Sequence, residues 1–143
     1  MENELDYWRI LKVNKNENIL VVRIRIEKPN YSDISQYKEA VVISWNWDNQ
    51  NVKPPDEINE KQLVFERALD ELTGDNNLSC LIQVATGIGL KEWVFYTKDK
   101  DEFMQRFNLL LEGHQKYPIE IKFYDDSDWK IRTEYLELYR KNT

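Results

Sequence analysis

The chain has 143 residues, of which 41% are hydrophobic and 13% aromatic, so it can bury a core and is expected to form a single domain over residues 1–143. Its formal net charge is −6, and no Lys/Arg cluster outweighs its acidic neighbours. This composition excludes a chain that is disordered in bulk and argues against nucleic acid as a ligand, because phosphate binding needs a basic stripe. The acidic balance suits solubility or a basic protein partner.

Cysteine usage and hydropathy predict a cytoplasmic protein. Cys80 is the one cysteine, so the chain cannot form an internal disulfide, and its apolar neighbours indicate a buried thiol. No apolar run approaches the roughly 18 residues that a membrane span needs. The first six residues are acidic where a secretory signal would be basic, so no membrane association is expected.

The front half of the chain predicts three strands, at residues 7–13, 19–27 and 40–47. The second strand alternates strictly between apolar and mixed positions, which is typical of an antiparallel strand with one buried and one wet face. Arg23 and Arg25 fall on the wet face. Such a pair can bind a carboxylate, but a solvated sheet face is the favoured interpretation.

Trp45 and Trp47 follow on one face of the third predicted strand. Two indoles on one face can form a partner-binding surface, but Trp in a half-buried sheet most often packs under a helix. Both interpretations stay open. The polar run 48–55 then separates the front strands from the rest, although it is too short for a domain linker.

The middle of the chain predicts a helix and a hairpin. Asp56 is the expected N-cap of a helix that stops at Gly74. The hairpin covers residues 81–97 and turns at Gly87-Ile88-Gly89. This turn is not a phosphate loop, because Glu92 occupies the position of the third glycine and a strand follows. Apolar residues on both faces of the second arm predict a central strand.

The remaining elements are a helix, a strand and a C-terminal helix. Asp99 and Glu102 have capping-box spacing at the start of a helix that ends at Gly113. Residues 117–124 alternate as a strand. The polar run 126–128, with Ser127 and Asp128 as the capping side chains, is expected to cap a helix over residues 129–139.

This order of elements predicts an α+β fold. We expect an antiparallel or mixed sheet with two to three helices packed on one face. Residues 78–124 read strand, strand, helix, strand, and this β-β-α-β order in the second half is compatible with a split, ferredoxin-like unit.

Candidate chemistry is sparse. His114, the only histidine, lies just past a helix end, and no nucleophile motif accompanies it. Asp125, Asp126 and Asp128 form the tightest acidic cluster, but the central Gly and closing Glu of a calcium loop are missing. One Cys and one His far apart do not suggest zinc. The sequence therefore predicts no catalytic residue, no cofactor and no metal.

The second half resembles the bacterial domain of unknown function 695. The residues that carry the resemblance are Thr86-Gly87 and Gly89, Trp93-Val94-Phe95-Tyr96, Asp99 with Phe103, and Tyr124-Asp125-Asp126-Ser127-Asp128-Trp129. In the family the last motif tends to read Asp-Pro-x-Trp, and here Ser127 replaces the proline, which also suits a helix start. The resemblance covers residues 1–139. It implies a small bacterial cytoplasmic domain with no established activity, so it transfers no catalytic residues.

Two functional hypotheses follow. The first is a non-catalytic interaction or regulatory module, such as an inhibitor of a basic toxin or nuclease, that acts as a monomer or weak homodimer. Its expected partner-binding residues are Trp45, Trp47, Asp125, Asp126 and Asp128. The alternative is a small enzyme that uses His114 or the Asp125–Asp128 cluster within a cleft.

Overall fold

A computed structural model describes residues 8–48, 53–74 and 76–141 and shows an α+β fold with one sheet and three helices. The strands are β1 (Trp8–Lys15), β2 (Asn18–Arg25), β3 (Glu39–Asn46), β4 (Ser79–Gly87), β5 (Leu90–Thr97) and β6 (Ile119–Asp125). The helices are α1 (Asp56–Ala68), α2 (Lys100–Leu110) and α3 (Lys130–Lys141). Within these described ranges, none of the helices has both the length and the apolarity to cross a membrane.

The sheet is antiparallel throughout, in the order β1-β2-β4-β5-β3-β6. The predicted central position of the 81–97 hairpin is confirmed, because β4 pairs with β2 and β5 pairs with β3. β4 is almost fully buried and β5 is buried from residue 93 to residue 97, as expected for strands covered on both faces. Cys80 on β4 is buried, as predicted.

The second half does not form a contiguous unit. β5 and β6 are each antiparallel to β3, so they run parallel to each other with β3 between them, and α2 connects them. The predicted β-β-α-β order is present from β4 to β6, but the strand that joins β5 to β6 in the sheet comes from the front half. The ferredoxin-like label stays a prediction.

The β4–β5 turn uses a backbone conformation that favours glycine. Ile88 and Gly89 both have positive φ, at 49° and 75°, which is the geometry of a two-residue hairpin turn matched to strand twist. A Cβ on Gly87 would lie 2.8 Å from the carbonyl oxygen of Ile19. Gly87 and Gly89 therefore shape the hairpin and its contact with β2, in agreement with the structural interpretation of this turn.

One face of the sheet, called here the α1/α2 face, carries the larger core. Helices α1 and α2 cover the centre of this face through aromatic side chains. Phe65 of α1 stands with its ring centroid 5.1 Å from that of Trp93, and Phe103 of α2 stands 5.2 Å from Phe95. The buried cluster is Val41, Ile43, Trp45, Phe65, Leu69, Leu72, Leu78, Leu81, Val84, Trp93, Phe95, Phe103, Phe107 and Tyr117.

The opposite face, called here the α3 face, is covered by α3 and by the segment that precedes β3. Tyr135 and Leu136 of α3 pack on Leu20, Val22 and other apolar residues of β1 and β2. Two helices thus share one face, as predicted, and the third lies on the other face. The alternation of β2 explains the position of α3, because β2 presents a continuous apolar row on the side of the sheet away from α1 and α2.

Several local predictions need correction. Pro55, not Asp56, occupies the N-cap of α1, and it makes no side-chain cap bond. Arg25 was predicted on a solvated face but is buried, while Arg23 is half-exposed and donates to Glu66 at 2.8 Å. Helix α1 ends at Ala68, and a 3-10 turn, Asp70–Leu72, precedes Gly74.

The cap of α2 is confirmed in part. The Oδ1 atom of Asp99 accepts from the N–H groups of Asp101 at 2.9 Å and Glu102 at 3.1 Å. Glu102 does not reach back to complete a capping box. It accepts a hydrogen bond from Arg106 at 2.8 Å, one turn further along the helix.

Candidate functional site

The two tryptophans that were candidate partner-binding residues are buried. Trp45 is 2% exposed and packs between Phe65 and Tyr117, with ring centroids 5.9 and 5.5 Å away. Trp47 is 7% exposed. The open question about Trp45 is thus settled in favour of packing under a helix, and neither indole offers an exposed binding face. Burial is favoured because an indole contributes more apolar area than any other side chain.

The rims of both indoles nevertheless border a cleft of about 290 Å³, between the end of β3, the start of α1 and the loop before β6. Lys61 and Lys116 also line it. The Nε1 atom of Trp47 is buried and has no hydrogen-bond acceptor among the described residues. An unmade bond of this kind destabilises a fold by about 1–3 kcal/mol.

Asp126 is a structural residue. It is 8% exposed, its Oδ2 atom accepts from the Tyr96 hydroxyl at 2.6 Å, and its carboxylate accepts from the N–H groups of Lys130 at 2.8 Å and Ile131 at 3.0 Å. Asp126 therefore caps α3, the role that the sequence assigned to Ser127 and Asp128, and it is not available to a partner.

Hydrogen bonds and a ring contact around Asp126 attach α3 to the sheet. Burial raises the pKa of Tyr96 far above its ordinary 10.0, and the hydrogen bond to Asp126 acts in the same direction, so the hydroxyl stays a neutral donor. The Tyr96 ring stacks on Trp129 with centroids 4.1 Å apart. The Trp129 indole donates to the carbonyl oxygen of Tyr37 at 2.8 Å, and Arg132 donates to the carbonyl oxygens of Arg25, at 3.2 Å, and Ile26.

The other two predicted acids remain on the surface. Asp125 ends β6 and Asp128 precedes α3, and both are exposed. Within the described residues, no group of three or more His, Cys, Asp and Glu side chains could hold a metal ion. Asp125 and Asp128 stay candidate partner-binding residues, whereas the direction of Asp126 into the fold removes it from that set.

His114 does not meet the acidic cluster. It is exposed after α2, and its Nδ1 atom lies 2.9 Å from the hydroxyl of Tyr117, just before β6. Asp126 follows the other end of β6, and a strand of seven residues spans about 20 Å. The two candidate groups therefore cannot act on one substrate atom. The enzyme alternative stays a prediction that would have to use one of them alone.

The structure instead brings together side chains that the sequence did not single out. A cleft of about 270 Å³, called here the acidic cleft, opens on the α3 face between β3, β5, β6 and α3. Its lining residues are Val42, Glu92, Tyr124, Ile131, Glu134 and Tyr135. Strand register brings the sheet residues of the cleft to one face. Val42 of β3 lies opposite Lys122 of β6, and Tyr124 of β6 lies opposite Ala40 of β3. Helix α3 supplies the wall at positions 131, 134 and 135, which share one helix face.

The electrostatics of the acidic cleft favour cations. Burial raises the pKa of Tyr135, and the charges of Glu92 and Glu134, which line the same cleft, raise it further. Glu120 and Lys122 pair at 3.7 Å at the margin. Two carboxylates with two tyrosine rings form a surface that suits a Lys or Arg side chain, through charge-assisted hydrogen bonds and ring contacts.

The acidic cleft borders an open sheet edge. β6 is the last strand, so within the described chain its outer edge carries backbone groups without a strand partner. Ile121 is partly buried on the α1/α2 face, while Phe123 and Tyr124 are largely exposed. An extended segment can add to such an edge with main-chain hydrogen bonds and place a side chain in the adjoining cleft.

Sequence signals for this site are weak. The i, i+3, i+4 spacing of Ile131, Glu134 and Tyr135 shows that they share a helix face. Glu92 is a charged residue that directly precedes the apolar run Trp93-Val94-Phe95-Tyr96 of a central strand. Neither signal indicates that α3 crosses the sheet beside Glu92, since that packing depends on contacts between residues far apart in the chain.

The residues that carried the family resemblance now have structural roles. Gly87 allows close approach to β2, Asp99 caps α2, Phe103 fills the core, and Asp126 and Trp129 anchor α3. These residues therefore shape and pack the fold.

Comparison with known proteins agrees with that resemblance. No curated protein and no solved structure matches the chain at a significant level. A family model, described as a family of unknown function (DUF695), matches residues 6–137. Because the match covers nearly the whole chain and includes all six strands, this protein belongs to the DUF695 family.

Proposed function

We propose that this protein is a non-catalytic, cytoplasmic interaction or regulatory module that binds a basic segment of a partner protein in the acidic cleft. The observation that carries the proposal is the convergence of Glu92 and Glu134 with Tyr124 and Tyr135 around one opening beside the edge strand β6. An inhibitor of a basic toxin or nuclease is one form that such a module takes.

Recognition in the acidic cleft relies on a desolvated cation. A Lys or Arg side chain entering the opening lies between two carboxylates, and charge-assisted hydrogen bonds to carboxylates are roughly twice as strong as neutral ones. Its aliphatic stem can pack on Val42 and Ile131 while the charged end reaches the acids. The flanking main chain of the partner can pair with β6.

The charge of the whole protein supports the same partner. A net charge of −6 speeds the approach of a basic protein, and such steering weakens as salt rises. Lys122 at the margin of the acidic cleft lowers the local negative potential, so a partner is expected to place its cation deeper, next to Glu92 and Glu134.

The test is a binding titration with an oligo-arginine peptide, followed by fluorescence anisotropy at two salt concentrations. The double variant Glu92→Gln/Glu134→Gln is expected to weaken binding by about tenfold or more, because each amide keeps the shape of the side chain and loses its charge. Glu112→Gln is the matched single-charge control, because Glu112 is exposed in the loop after α2, outside the cleft.

Two results would contradict the proposal. The first is equal affinity of the double variant and the unmodified protein, which would assign peptide binding to the overall charge of −6. The second is a loss of affinity in Glu112→Gln as large as half that of the double variant. Tyr124→Ala offers a further check, since loss of an exposed ring from the cleft weakens peptide binding without removing charge.

A further inference from the structure

A second groove lies on the α1/α2 face, at the opposite end of the sheet. It is formed where α1 passes beside the β1–β2 hairpin, and its volume is about 180 Å³. Its lining includes Ile10, Val21, Arg23, Leu63, Thr86 and Lys91, and this set is called here the hairpin groove. None of these residues belongs to the acidic cleft.

The hairpin groove is bordered by exposed apolar side chains. Ile10 is 75% exposed, Ile19 is 48% exposed, and Leu63 of α1 is 38% exposed. Strand alternation explains this surface, because the intervening residues Leu11 and Leu20 are buried under α3, which leaves Ile10 and Ile19 on the α1/α2 face. A cluster of exposed apolar residues on one surface is typical of an interaction site.

The β1–β2 hairpin forms a strip of this face that is as wide as one helix. Two strands about 4.8 Å apart cover about 10 Å of the sheet, which matches the diameter of one helix, about 10–12 Å. The fully buried strand residues beneath α1 and α2 come from β3, β4 and β5, and β1 contributes only Trp8, which is partly buried. The uncovered strip therefore lies over the β1–β2 hairpin.

The charge around the hairpin groove is positive, in a protein whose net charge is −6. Arg23 and Lys91 line it, and Lys12 lies opposite Val21 on the same face. The Nζ atom of Lys91 stands 5.5 Å from the centre of the Trp93 ring. Burial lowers the pKa of Lys91, which shows that its ammonium group is partly removed from water.

One acid, Glu66, is also present in the hairpin groove, but its carboxylate is already engaged. Its Oε1 atom accepts from Arg23 at 2.8 Å and from the indole of Trp93 at 2.8 Å. These bonds hold the Arg23 guanidinium in a fixed position at the side of the groove. Three basic residues and one engaged acid give the strip a local charge opposite to that of the whole protein.

We propose that the hairpin groove binds an amphipathic helix of a partner protein, with an apolar stripe flanked by Asp and Glu. The apolar stripe would pack on Ile10, Val21 and Leu63, in the same layer as α1. The flanking acids would pair with Lys12, Arg23 and Lys91. The opposite charges of the hairpin groove and the acidic cleft mean that each one selects a different partner segment.

The experiment uses two designed helical peptides with the same leucine stripe, one flanked by glutamates and the other by lysines. Binding to the full chain is measured by fluorescence anisotropy of labelled peptides. The glutamate peptide is expected to bind more tightly than the lysine peptide, and Ile10→Asp is expected to weaken it by about tenfold or more. Lys12→Glu, an exposed substitution that leaves the core intact, should weaken it as well.

The control variant is Lys122→Glu on β6, which makes the same charge change at the far edge of the sheet. It should leave the affinity for the glutamate peptide within about twofold. Equal binding of the two peptides, or equal effects of Lys12→Glu and Lys122→Glu, would overturn the proposal. Concentration-dependent self-association in sedimentation that Ile10→Asp abolishes would also overturn it, because the occupant would then be a second copy of this chain.

Discussion

The α1/α2 face and the α3 face of the same sheet are covered in different ways. On the α1/α2 face, two helices pack through a continuous aromatic cluster in which Phe65 contacts Trp45, Trp93, Phe107 and Tyr117. On the α3 face, the helix is held by apolar contacts together with buried hydrogen bonds to Asp126, Trp129 and Arg132. Apolar packing tolerates small adjustments, whereas buried hydrogen bonds require fixed geometry.

This difference also separates the two proposed binding surfaces. The hairpin groove lies where the packing of α1 and α2 stops, so its character is apolar with a basic rim. The acidic cleft lies between α3 and the sheet, where polar anchors set the distance of the helix from the strands. A variant that weakens the attachment of α3 to the sheet should therefore reduce binding in the acidic cleft more than binding in the hairpin groove.

The largest expected effect is on the α1/α2 face. Trp93→Ala is expected to lower the free energy of unfolding by about 3–5 kcal/mol, because the ring is fully buried and its indole hydrogen bond to Glu66 is lost. Urea denaturation measures the change. Phe123→Ala, at a ring that is 37% exposed on the edge strand β6, is the control and should cost clearly less than Trp93→Ala. Similar losses in the two variants would contradict the core position of Trp93.

The next effect concerns the anchor of α3. Asp126→Ala is expected to cost about 2–4 kcal/mol, because the helix loses its cap and the Tyr96 hydroxyl loses its buried acceptor. Asp128→Ala removes an exposed acid two residues later and should change stability by about 0.5 kcal/mol or less. If both variants unfold at the same urea concentration, Asp126 is not the anchor of α3.

Asp126→Ala also tests whether the acidic cleft depends on α3 more strongly than the hairpin groove does. Asp126→Ala should weaken binding of the oligo-arginine peptide, because Ile131 and Glu134 move with α3. Its affinity for the glutamate-flanked peptide should stay within about twofold of the unmodified protein. The reverse result would mean that the two surfaces do not depend on the elements assigned to them.

The smallest expected effect at neutral pH is that of Tyr96→Phe, about 1–2 kcal/mol for loss of the hydroxyl bond to Asp126. The variant is best distinguished by the pH dependence of its free energy of unfolding at alkaline pH. The pKa of Tyr96 is raised in the folded state, so its stabilising contribution is complete below the unfolded value of about 10 and is lost as pH rises above it. Unfolding measured from about pH 9 to about pH 11 should show a shallower decline in the variant.

Tyr124→Phe is the control for this variant, because the Tyr124 ring is 45% exposed and removal of its hydroxyl leaves the hydrogen bond between Tyr96 and Asp126 intact. Tyr135, whose pKa is also raised, contributes to the decline that remains in Tyr96→Phe. An unchanged slope in Tyr96→Phe would show that the hydroxyl is not held neutral by burial and Asp126.

The sequence predicted elements well where one local pattern decided them. Alternation in β2, the glycine turn after β4, and the Asp99 cap each depend on neighbouring residues, and each was confirmed. Predictions failed where a distant contact decided the outcome. Arg25 is buried, and its guanidinium lies 5.9 Å from the centre of the Trp8 ring on the neighbouring strand. Within the predicted capping run 126–128, Asp126 rather than Ser127 or Asp128 is the cap, because it also meets Tyr96.

The candidate site shows the same division. Trp45 and Trp47 were proposed from their shared strand face, but both rings are buried, and for Trp45 the packing of α1 against that face decided the outcome. Glu92 and Glu134 are 42 positions apart, and only the path of α3 across the sheet makes them neighbours. Register within a strand follows from period-two patterns, whereas the docking of a helix depends on shape and on buried hydrogen bonds.

The sequence by itself therefore determined the α+β class, the order of the strands and helices along the chain, and membership of the DUF695 family. These properties rest on periodicity, turn residues and caps, which act over a few residues. Only the tertiary structure decided that β3 lies between β5 and β6, that α3 covers the face opposite α1 and α2, and that two surfaces of opposite charge result. Those outcomes depend on contacts between distant segments, whose free energy is realised only when the whole sheet has formed.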